Sequence, residues 1–503
     1  MNLTTGDILA LLPIILVTAT SVVVMLMIAF KRNHSLTALL TVAGLAAAAF
    51  AGMNQLGQPS LQVTPLLVID QYSGFFNLVI LSTSIAVAIF CHGYFDKREG
   101  LPEELYILLL TTTLGAQVMV SANHFVSFFL GLEILGISLF ALIAYPVTTL
   151  TKSGLPLEAA SKYLVLSGVS TGFLAFGMAL IYASSGAMSL VDFKVALSSS
   201  GLEYYAVGGI AMMVAGLAFK LSLVPFHMWT PDVYQGAPAP ITAFVATVSK
   251  AAVLAFLLRA FALLDAYQYE SVVFVIVALA MASMLVGNLL ALLQTNVKRI
   301  LAYSSIAHLG YIMVAFLAAG SSDLKSDVAP QLLAVEAVAY YIVAYIVTTL
   351  AGFGIISLFS SAGAAPDETR DFDQIDDYEG LFWTHPWLAS VFTVTLLSLA
   401  GIPLTIGFIG KFYILAAGVH NAMWSLLFVL VVGSGIGLFY YLRLIIVMAR
   451  NADGAVAPAS GSNLSLPSGG RWVIGVLALL IVWLGVNPSP LIDFIRAMAQ
   501  TMG

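Results

Sequence analysis

Charge is what this sequence has least of. Asp, Glu, Lys and Arg make up 9% of its 503 residues, against roughly 25% in a soluble domain. Cysteine is scarcer still. Cys91 stands alone, which excludes an internal disulfide and any four-cysteine zinc or iron–sulfur site built by this chain by itself. There is no G-x-G-x-x-G dinucleotide fingerprint and no flavin motif. The net charge of −6 is small and dispersed, and no basic stripe points to nucleic acid. Strict polar/apolar alternation is missing too, so a β-barrel is excluded, because barrel strands do not build long apolar runs.

What is present is apolar: 60% of the residues are hydrophobic. At about 20 apolar residues per membrane crossing, that allows at most about 15 crossings. Apolar runs separated by charge or by Gly, Pro and Asn give about fourteen candidate transmembrane helices. They are 7–30, 35–55, 72–95, 103–121, 124–147, 157–184, 204–226, 239–264, 271–294, 299–319, 331–359, 386–418, 422–449 and 472–496. They are called spans 1 to 14 below, and the fold class they imply is an all-α polytopic membrane protein. The run Leu9–Phe30 has no basic residues before it, and Lys31-Arg32 follows it, so it reads as a retained first span and not as a signal peptide. Two connections are longer than the rest. The 360–385 loop is acidic and reads as a solvated surface. The 450–470 loop is rich in Ser, Gly, Ala and Pro and reads as a linker.

Loops after odd-numbered spans hold ten basic residues, and the opposite side holds three, Lys194, Lys325 and Arg496. By the positive-inside rule the odd loops face the cytoplasm and both termini face outward. Six basic residues remain inside spans: Lys162, Lys220, Lys250, Arg259, Lys411 and Arg443. Arg259 and Arg443 lie towards span ends, where a long side chain can snorkel to the interface. Lys220, Lys250 and Lys411 lie deeper, as does Glu133 in FFLGLEILGISLF. Each deep charge costs about 2.5–3.5 kcal/mol on insertion scales, so four of them call for a function. Fixed ion pairs that set helix packing are the plain alternative, although buried pairs rarely outperform apolar packing. Burial disfavours the charged form of a lysine, and a nearby carboxylate favours it. A lysine whose carboxylate partner can approach or retreat is therefore a proton switch, and no metal is needed. Carboxylate cages for cations are absent, because Glu133 is the one acid that reads as mid-membrane.

Two spans read as broken. Span 7 contains Pro225 in FKLSLVPFH, beside Lys220, and span 12 contains Pro403 with Gly401, Gly407 and Gly410 in LAGIPLTIGFIGKF, beside Lys411. Non-helical backbone at membrane depth persists only where protein or water satisfies it, and matched breaks in two halves mark inverted-repeat transporters. The two breaks are five spans apart, which suggests two inverted five-helix repeats, spans 4–8 and 9–13. The chain then divides into a three-helix segment (1–100), a first repeat (101–264), a second repeat (265–450) and a linker with a last helix (451–503). Histidines extend the series. His227 follows Lys220 by seven residues, two turns along the same face if the register survives Pro225, and His308 lies in SSIAHLGYI of span 10. Histidine is the natural relay near neutral pH; a hydrogen-bonded interior histidine is the alternative for each. Lys162 follows Glu158 by four residues, so an ordinary i,i+4 ion pair rivals a relay role there.

The stretch FKLSLVPFHMWTPDVYQGAPAP (219–240), with TAFVATVSK running to Lys250, resembles the signature of the antiporter-like membrane subunits of respiratory complex I, the NADH–quinone oxidoreductase. NVKRILAYSSIAHLGY (296–311) and LAGIPLTIGFIGKFYIL (399–415) match further stretches of that family. The resemblance covers essentially the whole chain. It implies fourteen helices with two inverted repeats, and a role as one proton-translocating unit of a membrane arm. It also implies Glu133 and Lys220 as a glutamate–lysine pair, Lys250 as a central relay and Lys411 as an outlet lysine, where one sister subunit has a glutamate. His227, His308 and Lys162 are secondary relay candidates. FMN, iron–sulfur clusters and quinone are expected on partner subunits of the membrane and redox arms, in a bacterial inner membrane. The alternatives are a stand-alone or multisubunit H+/cation antiporter and a passive assembly subunit.

Overall fold

The structure is a computed structural model and describes residues 4–96, 98, 100–145, 154–200, 204–264, 266–320, 329–363, 371–450 and 466–500. Lys97, Lys152, Lys325 and Arg370, four of the residues behind the charge asymmetry, lie outside this set, as does most of the 450–470 linker. In chain order the helices are α1 (Thr5–Ala10), α2 (Leu12–Phe30), α3 (His34–Gln55), α4 (Gln71–Phe95), α5 (Glu103–Val120), α6 (Phe125–Ala144), α7 (Leu155–Ser185), α8 (Leu190–Ser200), α9 (Tyr204–Lys220), α10 (Trp229–Gly236), α11 (Ala239–Leu264), α12 (Glu270–Leu292), α13 (Val297–Ala318), α14 (Ala329–Gly363), α15 (Leu381–Thr384), α16 (Pro386–Ala400), α17 (Ile406–His420), α18 (Trp424–Ala449), α19 (Ser468–Val486) and α20 (Ser489–Ala499). A small antiparallel hairpin, β1 (Leu61–Thr64) and β2 (Leu67–Ile69), joins α3 to α4.

Eleven helices among the described residues are long and apolar enough to cross a membrane. The other three expected positions hold α5 and the two interrupted segments α9/α10 and α16/α17. Local chemistry explains where the expected spans subdivide. Span 1 divides at Leu11, just before Pro13 opens α2, and span 14 divides at Asn487-Pro488, because proline cannot continue a helix from within. The hairpin and α8 are elements that the apolar runs did not foretell.

Three helices form the centre. α11, α13 and the 333–361 part of α14 are wholly buried along their apolar windows, whereas most of α2, α7 and α19 is not buried, as in lipid-facing helices. Around this centre, α5 lies along α6 and α12 along α13 in matching fashion. Both pairs close through reciprocal glycines. A Cβ on Gly115 would stand 2.6 Å from the Leu135 nitrogen, and one on Gly131 2.9 Å from the Met119 nitrogen. A Cβ on Gly287 would stand 2.8 Å from the Ala307 nitrogen, and one on Gly310 2.9 Å from the Met284 nitrogen. Small residues let membrane helices approach backbone to backbone.

Several side chains are placed differently from the sequence reading. The described part of the acidic loop is not a solvated surface. Asp371 is 8% exposed and holds Lys298 at 2.8 Å, Arg98 at 3.4 Å and the Tyr94 hydroxyl at 2.6 Å, and Asp373 is buried as well. The loop folds back onto the bundle because Lys298 and Arg98, counted as loop charges, are themselves buried there. Burial raises the Asp371 carboxyl, but Lys298 and Arg98 together outweigh it and hold its pKa below the ordinary value. Arg259 does not snorkel: it is buried, pairs with Asp70 at 2.7 Å and covers the Tyr72 ring. Arg443 donates to the carbonyls of Leu292 and Gln294 at the end of α12. Glu336, near the start of span 11, is buried in α14, where Arg496 of α20 meets it at 2.9 Å.

Candidate functional site

Both breaks are built the same way. α9 stops at Lys220 with Ser222 in the left-handed region (φ 61°), Leu223 N donating to Ala218 O and Ser222 N to Phe219 O. α16 stops at Ala400 with Gly401 left-handed (φ 84°), Ile402 N donating to Leu397 O and Gly401 N to Ser398 O. These paired bonds are a standard helix ending that satisfies carbonyls otherwise left without partners. A second non-glycine residue, Leu404, is left-handed (φ 71°) before α17 begins. In the first break Val224 N donates to Ser283 Oγ at 2.9 Å and Trp229 Nε1 to Phe219 O at 3.0 Å, so its polar backbone is answered by protein.

Each break presents a buried lysine. Lys220, in the last turn of α9, is 6% exposed and donates to Ser167 Oγ of α7 at 2.7 Å. One turn along α7, Thr171 Oγ1 donates to Glu133 Oε1 of α6 at 2.8 Å. Glu133 therefore reaches the neighbourhood of Lys220 through two hydroxyls one turn apart on α7. Among the described residues the two form no direct ion pair. Lys411, on α17, reaches back to the end of α16. It donates to Ala400 O at 2.7 Å, Leu399 O at 3.2 Å and Ser434 Oγ of α18 at 2.8 Å. The negative end of the α16 dipole thus faces its ammonium.

Between the two breaks lies Lys250, 0% exposed at the middle of α11. Its Nζ donates to Ser305 Oγ of α13 at 2.5 Å, and Ser305 is bonded to the Tyr345 hydroxyl at 2.6 Å. One residue back, Ser304 is bonded to the Tyr441 hydroxyl. Tyr441 lies 3.3 Å from His308 Nε2, and the other ring nitrogen, Nδ1, is 2.7 Å from the Tyr341 hydroxyl. Lys411 stands over the Tyr311 ring at 5.4 Å, and Tyr311 accepts from Asn288, which accepts from Tyr440. Serine, tyrosine and histidine can each both donate and accept, so the set can pass protons by rearranging hydrogen bonds.

The structure thus brings Lys250 and His308 together through serines and tyrosines, places Lys411 over the Tyr311 ring that His308 also meets, and sets Glu133 and Lys220 against hydroxyls one turn apart on α7. It does not place His227 on the continued face of α9. His227 is buried in the break itself, past the cis Val224–Pro225 bond. Lys162 stands apart from the buried row. It is 43% exposed and meets both Glu158 and Asp232 at 2.7 Å, while Asp232 also meets Arg299 at 2.7 Å. The i,i+4 pair expected as its alternative is present, enlarged into a charged link from α7 through α10 to α13. The partner hydroxyls of Ser167, Thr171, Ser305, Tyr345, Tyr341, Tyr441 and Ser434 were not foreseen. Their positions opposite lysines on facing helices were the missing signal, and that appears only once the helices are packed.

Residues 122–437 match the family described as NADH:quinone oxidoreductase/Mrp antiporter, transmembrane. Two relatives, each named NADH-quinone oxidoreductase subunit N, are similar along nearly their whole length. The one from Methylococcus capsulatus is 47% identical over 495 residues, covering 98% of this chain and 95% of the relative, and the one from Ectopseudomonas mendocina is 44% identical over 504 residues, covering 99% and 98%. A chain of the respiratory complex I structure from Thermus thermophilus superposes with a TM-score of 0.78 at 29% identity, covering 96% of this chain and 98% of that one. A chain of the archaeal membrane-bound sulfane sulfur reductase superposes with a TM-score of 0.82 at 25% identity, covering 99% and 98%. With two breaks of one design, a buried lysine at each and a third between them, the chain belongs to the NADH:quinone oxidoreductase/Mrp antiporter family of membrane proteins.

Proposed function

We propose that this chain is a proton-translocating membrane-arm subunit of an NADH:quinone oxidoreductase, of the subunit N kind, and that redox chemistry on partner subunits drives it. The observation that carries the reading is the row that runs from the half-buried Glu133 through the buried Lys220, Lys250 and His308 to Lys411, in which each lysine is met by hydroxyls or carbonyls and not by a fixed counter-ion. A fixed ion pair would hold its proton. A lysine held by neutral acceptors can lose its proton and keep the same geometry.

In this reading Glu133 modulates Lys220. It is only half-buried, on a face of α6 that also exposes Leu130, Ile134 and Ile137, so an adjoining membrane subunit would cover it and feel its charge. Lys250 passes the proton between halves, and Lys411, at the loosened end of α16, releases it. His308 serves between them, His227 lines the first break, and Lys162 sets the charge at the ends of α7 and α13. FMN, iron–sulfur clusters and quinone belong to the partner subunits. The charge asymmetry orients both termini outward in a bacterial inner membrane. The family description also includes Mrp antiporters, so H+/cation antiport is the second reading.

The test uses membrane vesicles energised by NADH, with a pH-sensitive dye and matched complex content. Lys220→Ala is expected to lose most quinone-coupled pumping. Wild-type pumping in that variant would remove the assignment. Sodium-dependent proton exchange that persists without NADH would favour the antiporter.

A further inference from the structure

At the end of the bundle that carries most of the basic loop residues, three potential metal ligands converge outside the buried row. His34 opens α3, His92 lies in the last turn of α4, and Asp96 follows α4. One ligand atom from each falls within 4.8 Å of the others. The two imidazoles stack with centroids 4.7 Å apart and planes at 27°, and His34 Nδ1 is 3.7 Å from Asp96 Oδ1. The sequence reading expected no metal site, and none of these residues takes part in the proposed proton path.

We propose that His34, His92 and Asp96 form a binding site for a divalent transition-metal ion of the Zn2+ class. The outer contacts support this. His34 Nε2 is 2.9 Å from the Tyr106 hydroxyl and His92 Nε2 is 3.2 Å from Ser35 Oγ. Each ring is thus anchored through one nitrogen and keeps Nδ1 for another partner, the arrangement that orients histidine ligands in metal sites. Two imidazoles and a carboxylate select zinc-class ions over Mg2+ and Ca2+, which prefer all-oxygen shells. Zinc bonds of about 2.0–2.2 Å require the three ligands to close by roughly 1 Å. Asp96 can supply much of that movement, because its side chain is 58% exposed. Arg32, two residues before His34, is engaged by Glu103 and Glu104. Three protein ligands leave the fourth position to water. The bound ion would clip the start of α3 to the end of α4, one turn before Arg98 reaches Asp371.

The intact complex, stripped with chelator, would be dialysed against radioactive zinc at micromolar free concentration. Asp96→Asn and His92→Gln would be compared with wild type at equal assembly. The expectation is one zinc fewer per complex in each variant, or at least about tenfold weaker binding at that site, with no displacement by a thousandfold excess of Mg2+. Zinc is also expected to raise the melting temperature of the wild type and not of Asp96→Asn. Equal zinc content in all three proteins would overturn the site and leave His34–Asp96 as a simple polar pair. If His92→Gln fails to assemble, Asp96→Asn decides alone, because its side chain is exposed.

Discussion

Lys250 is the residue on which a relay and a fixed charge differ most. Arginine keeps its proton at any accessible pH, so Lys250→Arg preserves charge while stopping a cycle of loss and regain. We expect the variant to assemble and to pump at a small fraction of the wild-type rate; full NADH-driven pumping would mean that only a constant positive charge is needed. Lys411 gives the complementary case. Lys411→Glu retains a proton carrier and is expected to keep part of the activity, Lys411→Met much less, and equal rates would make Lys411 a cap for α16 and nothing more. Asp371 makes a prediction of another sort. Its pKa is depressed in the fold, so the stability it contributes is present above the ordinary carboxylate value and is lost as pH falls through the lowered one. Asp371→Asn should remove that acid dependence and destabilise by about 3–5 kcal/mol, because Lys298 and Arg98 are left buried without their partner; thermal melts across pH would read both. The lysines were legible from sequence because a charge in an apolar run is expensive. Asp371 was not, since a row of acids between helices looks solvated until its cations are known to be buried. The tyrosines were hidden for a different reason: among 20 of them, the few that bond His308 and Ser305 differ from the rest only in where neighbouring helices fall.

At the scale of the helix, proline and glycine announced both interruptions, and the chain breaks beside Lys220 and before Lys411 as the spelling suggested. The manner of breaking was less visible. Nothing about Ser222 or Leu404 signals a left-handed backbone, which non-glycine residues adopt rarely. The helix pairs were equally opaque, because glycines scattered through apolar runs do not reveal which of them face another backbone. Gly115 and Gly131 do so in α5 and α6, Gly287 and Gly310 in α12 and α13. Gly131→Ala would place a methyl 2.8 Å from Gly115 O, and Gly310→Ala one 2.9 Å from the Met284 nitrogen. Each pair would have to separate, at a cost of about 1–3 kcal/mol. The expected result is a lower yield of assembled complex and a lower melting temperature for both variants. Normal assembly of both would show that the pairs can slide apart freely.

Over the whole molecule, the asymmetry of basic residues sets an orientation that topology reporters can check: a phosphatase fused after the last helix should be active, and one fused in the 360–385 loop should not. The centre of the bundle has a further consequence. α11, α13 and most of α14 touch no lipid, and they carry Lys250, Ser305, His308, Tyr341 and Tyr345. The depth of these groups is therefore fixed by packing against other helices and not by the thickness of the surrounding bilayer. Helices in contact with lipid answer a thickness mismatch by tilting, but three sheathed helices have no boundary at which to feel it. Reconstituted into lipids of graded acyl length, the complex should lose stability at its lipid-facing margin in mismatched membranes before its protons-per-electron ratio changes at all.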